Sequence, residues 1–176
     1  MPALSQEQKD LMGEPIIPFQ RNTRGKTIEK DLKEGEGHNG EFLEYIHDGI
    51  DNNKPRHNYA ELTDEEVEAM IKNGGKYEEK CFLWVLDDVS IKILRETTRN
   101  ILRTDKPIVC HTNITGCQKA IVGGEMFFAT SGEVYINFFS DRYGNPSAEL
   151  WAEAKKYIES VGYSPLKDIL ELIGNE

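Results

Sequence analysis

The chain reads as an α+β domain: an antiparallel sheet of about four to five strands with flanking N- and C-terminal helices. Three observations predict this. A capping box opens a short amphipathic helix near Thr63, β-forming runs follow from Phe82 to Phe139, and a stripe at helical spacing runs from Leu150 to Val161. At 176 residues the chain accommodates one domain with an appendage, and it buries roughly two-thirds of its unfolded surface without needing staples. Residues 1–58 read as an N-terminal arm of short helices and loop, and residues 59–176 as the α+β core domain.

In the arm, Ser5 is placed to cap a weak helix with Leu11 and Met12 as its small apolar face, and Gly13 to end it. Pro15 and Pro18 flank Ile16 and Ile17 and force an extended connection. From Arg21 to Pro55 charge, glycine and asparagine dominate, which predicts a long loop or docking segment, with a short helix around Phe42–Ile50. Thr63 with Glu66 forms the capping box, Val67, Met70 and Ile71 share a face, and Asn73-Gly74-Gly75 stops the helix.

Phe82–Leu86, the Asp87-Asp88 turn and Val89–Leu94 read as a β-hairpin, with Trp84 in the core. Ile108–Cys110 reads as a short strand ending at His111. Ala120–Val122, then Gly123-Gly124, then Glu125–Ala129 form a strand interrupted by a glycine pair, the mark of a bulge or of a close approach by another backbone or a ligand. After a turn at Thr130–Gly132, Val134, Ile136 and Phe138 alternate with Tyr135, Asn137 and Phe139. Both faces carry aromatics, so this strand belongs at the centre of the sheet. Asn145 or Ser147 caps the helix bearing Leu150, Trp151, Ala154, Tyr157, Ile158 and Val161, which Gly162 ends, and Ser164-Pro165 opens a last short helix carrying Ile169, Leu170 and Ile173.

Composition bounds the function. A net charge of −10 opposes the counterion-release binding that phosphate backbones require, so nucleic acid is not the expected partner. It suits a solvated surface or a basic protein partner; a small anionic ligand, the other expected partner, calls for a local cation. Neither a leader-like start nor a membrane-length apolar run is present, and three cysteines without a C-x-x-C pair suit a reducing, cytoplasmic setting. No motif names a cofactor, and the acidic run at Asp64–Glu68 reads as a solvated face rather than a metal site.

Groups of catalytic type gather between Lys106 and Asn145. His111 is a candidate general acid or base with Thr112 and Asn113 beside it to fix its tautomer. Glu125, just past Gly123 and Gly124, needs a partner if it faces inward, and Arg142 is the expected one. Ser140, Arg142 and Tyr143 close the last strand with two hydroxyls and a guanidinium suited to oxyanions. Together His111, Glu125, Arg142 and Tyr143 supply an acid, a base, an anion clamp and a phenol, with Thr112, Asn113, Gly123, Gly124 and Ser140 as ligand-binding neighbours. Cys117, in a glycine-containing loop near His111, is a further nucleophile to consider.

The segments HTNITG (111–116), GGEMFF (123–128) and SDRYG (140–144) resemble the pattern H-[ST]-N-[LI]-T-G … G-G-E-[LM]-x-F … S-x-R-Y of a poorly characterised bacterial domain found at the C-termini of some polymorphic toxins and in stand-alone small proteins. The likeness covers about residues 106–162. The chain departs from it at Cys117, where a small residue is usual, and at Phe138-Phe139, where smaller residues precede the serine. The resemblance implies a toxin or effector system, and supplies no reaction. Two readings follow: an effector domain acting on an anionic small molecule or nucleotide-type ligand, or a non-catalytic acidic binding protein of the immunity or inhibitor type.

Overall fold

A five-stranded sheet in the order β2-β1-β3-β4-β5 forms the centre of the computed structural model, which describes residues 3–19, 27–34, 61–75, 77, 80–95, 110–140 and 142–174. The strands are β1 (Phe82–Leu86), β2 (Ile91–Arg95), β3 (Val122–Phe128), β4 (Val134–Ile136) and β5 (Leu166–Asp168). The helices are α1 (Gln6–Met12), α2 (Ile28–Glu34), α3 (Asp64–Lys72), α4 (His111–Thr115), α5 (Ala148–Ser160) and α6 (Ile169–Gly174). The fold is α+β with helices before and after the sheet, as the sequence predicts.

Period-two alternation divides the sheet into two apolar faces. On one, Phe82, Trp84, Leu86, Met126, Phe128, Val134 and Ile136 pack with Met12 of α1 and with Trp151, Ala154 and Ile158 of α5. On the other, Leu83, Val85, Phe127 and Tyr135 pack with Val67 and Met70 of α3, Ile114 of α4 and Ile169 of α6. The helical stripe from Trp151 to Val161 is therefore core, and each large side chain fully buried there contributes about 1.5–3 kcal/mol. Trp84 stacks on Trp151 with ring centroids 6.0 Å apart.

The strands β1–β2, β1–β3 and β3–β4 pair antiparallel, whereas β4–β5 is parallel. This last strand departs from the all-antiparallel expectation: Leu166–Asp168 is too short to show alternation, and only the crossover through α5 brings it beside β4. Asp168 anchors it, accepting hydrogen bonds from Trp151 Nε1 at 2.8 Å and Lys155 Nζ at 2.9 Å.

Local signals place the helix ends. Ser5 caps α1 and Gly13 closes it; Thr63 and Glu66 form the reciprocal box at α3; Ser147 caps α5. Residues 28–34, expected within a long loop, are helical. The expected helix around Phe42–Ile50 and the strand residues Ile108 and Val109 lie outside the described residues.

The α3 box also has an electrostatic consequence. Burial opposes ionisation of Glu66, but the Thr63 backbone N–H, Lys80, Tyr77 and the Thr63 hydroxyl outweigh it and hold the carboxyl down at about 2. A depressed carboxylate contributes stability that is complete above its unfolded value, near 4.3, and is lost as pH falls toward the folded value. Glu66→Gln is expected to flatten the stability-versus-pH curve between about pH 4.5 and 2, as read from urea midpoints at stepped pH. An unchanged acid limb would count against this ion pair.

Candidate functional site

The glycine pair in β3 is where the chain's polar groups converge. Neither glycine has a positive φ, so what each position demands is space. A Cβ on Gly124 would lie 2.0 Å from Asn137 O and 2.8 Å from Trp84 Nε1, and one on Gly123 would lie 3.1 Å from His111 Cδ2 and 3.4 Å from Ser140 Oγ. Gly124 thus admits an indole and a crossing backbone on one face. Gly123 admits an imidazole on the other.

Past Ile136 the end of β4 is held to β3 by side chains. Asn137 N donates to Glu125 O at 3.1 Å, but Glu125 N donates to the side-chain Oδ1 of Asn137 at 2.9 Å. The same Oδ1 accepts from Phe139 N at 2.9 Å, while Asn137 Nδ2 donates to Glu125 Oε1 at 3.0 Å and to Gly75 O at 3.4 Å. Across the gap Trp84 Nε1 divides its proton between Glu125 O at 3.1 Å and Asn137 O at 3.2 Å. The second carboxylate oxygen of Glu125 receives the Cys81 thiol at 3.5 Å. A buried asparagine must satisfy its donors and acceptors, and this one uses both ends of its amide.

His111 opens α4 rather than ending a strand. Cys110 is the N-cap, its backbone N–H bonded at 2.7 Å to Oδ1 of Asn113, and Gly116 closes the turn in the left-handed conformation. His111, 7% exposed, sets its Nε2 2.8 Å from Gly124 O. A carbonyl accepts only, so Nε2 carries the proton. Thr112 and Asn113 are fully buried.

Ser140 Oγ accepts the backbone N–H groups of Arg142 at 3.3 Å and Tyr143 at 3.1 Å, which ties both residues back to Ser140. Tyr143 O accepts from Gly123 N at 3.1 Å. The Tyr143 hydroxyl donates to Gln118 O at 2.6 Å and meets Thr115 Oγ1 at 2.8 Å. Burial pushes this phenol up to about 12, reinforced by the nearby Cys117 and Cys110 thiols and offset by Thr115 and Arg142. It is a neutral structural hydroxyl at physiological pH.

The expected pairing of Glu125 with Arg142 needs correction. Glu125 takes its contacts among the described residues from Asn137 and Cys81, whereas Arg142 Nη1 donates to Phe19 O at 2.7 Å. The Glu125–Arg142 pair does not form, because the turn at Ser140 directs the guanidinium to the segment that follows α1. His111, Gly123, Ser140 and Tyr143 do come together, and Glu125 shares their face two residues along β3, about 7 Å by strand geometry. The sequence reading missed Asn137 and Trp84 as the polar centre. The available signal was an asparagine within an otherwise apolar strand, which burial obliges to be fully bonded. Cys117, at positive φ, donates its N–H to Thr112 O at 3.0 Å and Thr115 Oγ1 at 3.1 Å.

Among the described residues no group of three or more His, Cys, Asp or Glu side chains is arranged to hold a metal ion, and no helix is long and apolar enough to cross a membrane. No family model, curated protein or solved structure matches the chain.

Proposed function

We propose that the chain is a non-catalytic acidic binding protein of the immunity or inhibitor type, acting in a bacterial toxin or effector system and docking on a basic protein partner. One observation carries this reading: the polar groups of the candidate site are directed into the protein's own scaffold. His111 holds Gly124 O, Tyr143 holds Gln118 O, Arg142 holds Phe19 O, and Ser140 Oγ takes two backbone N–H groups. A general base or an anion clamp must present its atoms to a substrate, and here His111, Arg142 and Tyr143 are buried. The net charge of −10 complements a basic partner and speeds its encounter.

The second reading, an effector enzyme acting on an anionic small molecule through His111, Glu125, Arg142 and Tyr143, has one observation in its favour. The imidazole of His111 and the hydroxyl of Ser140 approach the same point above Gly123, on the face that carries Glu125. Expression of the chain alone in a bacterial cell separates the two. The binding reading expects normal growth from the native chain and from His111→Ala, with the variant about 1–3 kcal/mol less stable because Gly124 O loses its donor. Growth arrest by the native chain, relieved by His111→Ala at equal soluble yield, would establish the enzyme instead.

A further inference from the structure

Large apolar side chains are exposed mainly in one stretch of the described residues: Leu11 at 53%, Ile17 at 68% and Phe19 at 44%, with Val89 the other case. Three exposed carboxylates, Glu7, Asp10 and Glu14, lie in the same stretch. From Ile16 to Phe19 the chain is extended, and alternation sends Ile16 and Pro18 inward and Ile17 and Phe19 outward to one side. Ile16 exchanges two backbone hydrogen bonds with Ala120, at 2.7 and 3.0 Å. Arg142 bonds both backbone polar groups of Phe19: the Phe19 N–H donates to Arg142 O at 3.1 Å, and the Phe19 carbonyl accepts from Arg142 Nη1 at 2.7 Å. Arg142, only 3% exposed, thus serves a segment whose outward side chains, Ile17 and Phe19, leave 68% and 44% of their surface in water.

Burying an arginine is costly unless it is well bonded, and leaving apolar surface of Ile17 and Phe19 in water forgoes the gain from burying it. Both make sense where a partner covers the segment, because a preorganised apolar anchor spares the ordering cost of binding. We infer that residues 7–19 are the docking face for a basic protein surface: Ile17 and Phe19 enter an apolar groove, Leu11 flanks them, and Glu7, Asp10 and Glu14 meet lysine or arginine side chains on its rim. The inference rests on the binding-protein reading and names the face that reading uses. Arg142 is then a positioning residue, presenting the anchors without touching the partner. The carboxylates of α3, Asp64, Glu65 and Glu68, are also exposed but have no exposed large apolar residue among them, so they serve as the control surface.

The test uses the full chain and two peptides of about 14 residues, near the length at which an amphipathic helix forms. One peptide alternates leucine and lysine at helical spacing, and the other replaces each leucine with serine. Titrations at low salt followed by backbone amide shifts are expected to show the Leu/Lys peptide binding with a Kd on the order of tens of micromolar, with shifts concentrated in residues 7–19. The Lys/Ser peptide is expected to bind at least about tenfold more weakly. The double variant Ile17→Ser/Phe19→Ser and the triple variant Glu7→Lys/Asp10→Lys/Glu14→Lys should each weaken binding by about tenfold or more. Asp64→Lys/Glu65→Lys/Glu68→Lys should stay within about twofold. Thermal melts of the variants check folding, and the exposure of the substituted side chains predicts native-like transitions.

Binding by the native chain that the Ile17/Phe19 variant leaves unchanged would overturn the face while sparing the binding-protein reading. Absence of binding by the native chain would overturn both. A native dimer in sedimentation equilibrium that Ile17→Ser/Phe19→Ser converts to monomer would replace the basic partner with a second copy of this chain, and so overturn the inference.

Discussion

Gly124→Ala is expected to cost the protein a large part of its stability. The added carbon would sit 2.0 Å from the backbone oxygen of Asn137 and 2.8 Å from Trp84 Nε1, and neither obstacle is the free end of a flexible side chain. Relief requires the end of β4 to move away from β3, and that movement breaks the indole's two hydrogen bonds to Glu125 O and Asn137 O. Overpacking a core costs about 1–3 kcal/mol and more where the backbone must shift. An unsatisfied buried indole N–H adds about 1–3 kcal/mol. The sum is a large part of the roughly 5–15 kcal/mol that holds a domain of this size together. Urea unfolding is the measurement, with Gly123→Ala as the comparison. There the Cβ meets His111 Cδ2 at 3.1 Å, which a ring can partly yield to, and Trp84 O at 3.2 Å, so a loss of about 1–2 kcal/mol is expected. Equal midpoints for the two variants would mean that the indole and the crossing strand do not meet at Gly124.

The contrast between these two glycines shows what kind of information the residues carry when read in order. Local chemistry was legible: Ser5, Thr63 and Ser147 announce helix starts through hydrogen bonds within three residues, and alternation assigns Tyr135 and Ile136 to opposite faces. The glycine pair signalled a close approach, but not by what. That depends on Trp84, which lies directly across the β1–β3 ladder from Gly124, and on a strand that leaves its ladder after Ile136. The side-chain direction of Arg142 was not legible either. Its charge made Glu125 the obvious partner, whereas the Ser140 turn set its course toward Phe19. The three-residue β5 has no periodicity to read, and its place comes from α5 and the anchor at Asp168. Long-range placement of polar groups, which decides whether a set of residues is a site or a scaffold, was the part that order along the chain could not supply.

Asn137→Ala tests that decision directly. The truncation removes the acceptor of Glu125 N and Phe139 N, and the donor to Glu125 Oε1 and Gly75 O. Asn137 is fully buried, so the orphaned groups are poorly placed to find water. With about 1–3 kcal/mol for each group left unsatisfied, and allowing for relaxation, a loss of about 3–5 kcal/mol is expected. The companion Asn137→Asp keeps the acceptor but sets a second carboxylate against Glu125 Oε1. Two like charges at hydrogen-bond distance force one of the carboxyls to bind its proton more tightly in the folded state than in the unfolded one. The folded state then carries the extra proton between the unfolded and folded values, so stability falls as pH rises through that window and is regained as pH is lowered into it. The Glu66 contribution is complete above about pH 4.5, so urea midpoints at pH 5 and pH 8 read the Asn137→Asp carboxylate pair without interference from it. If Asn137→Ala keeps native stability, the amide does not hold the end of β4, and Glu125 becomes a carboxylate positioned for a ligand. If it loses stability as expected, Glu125 is bound into the scaffold.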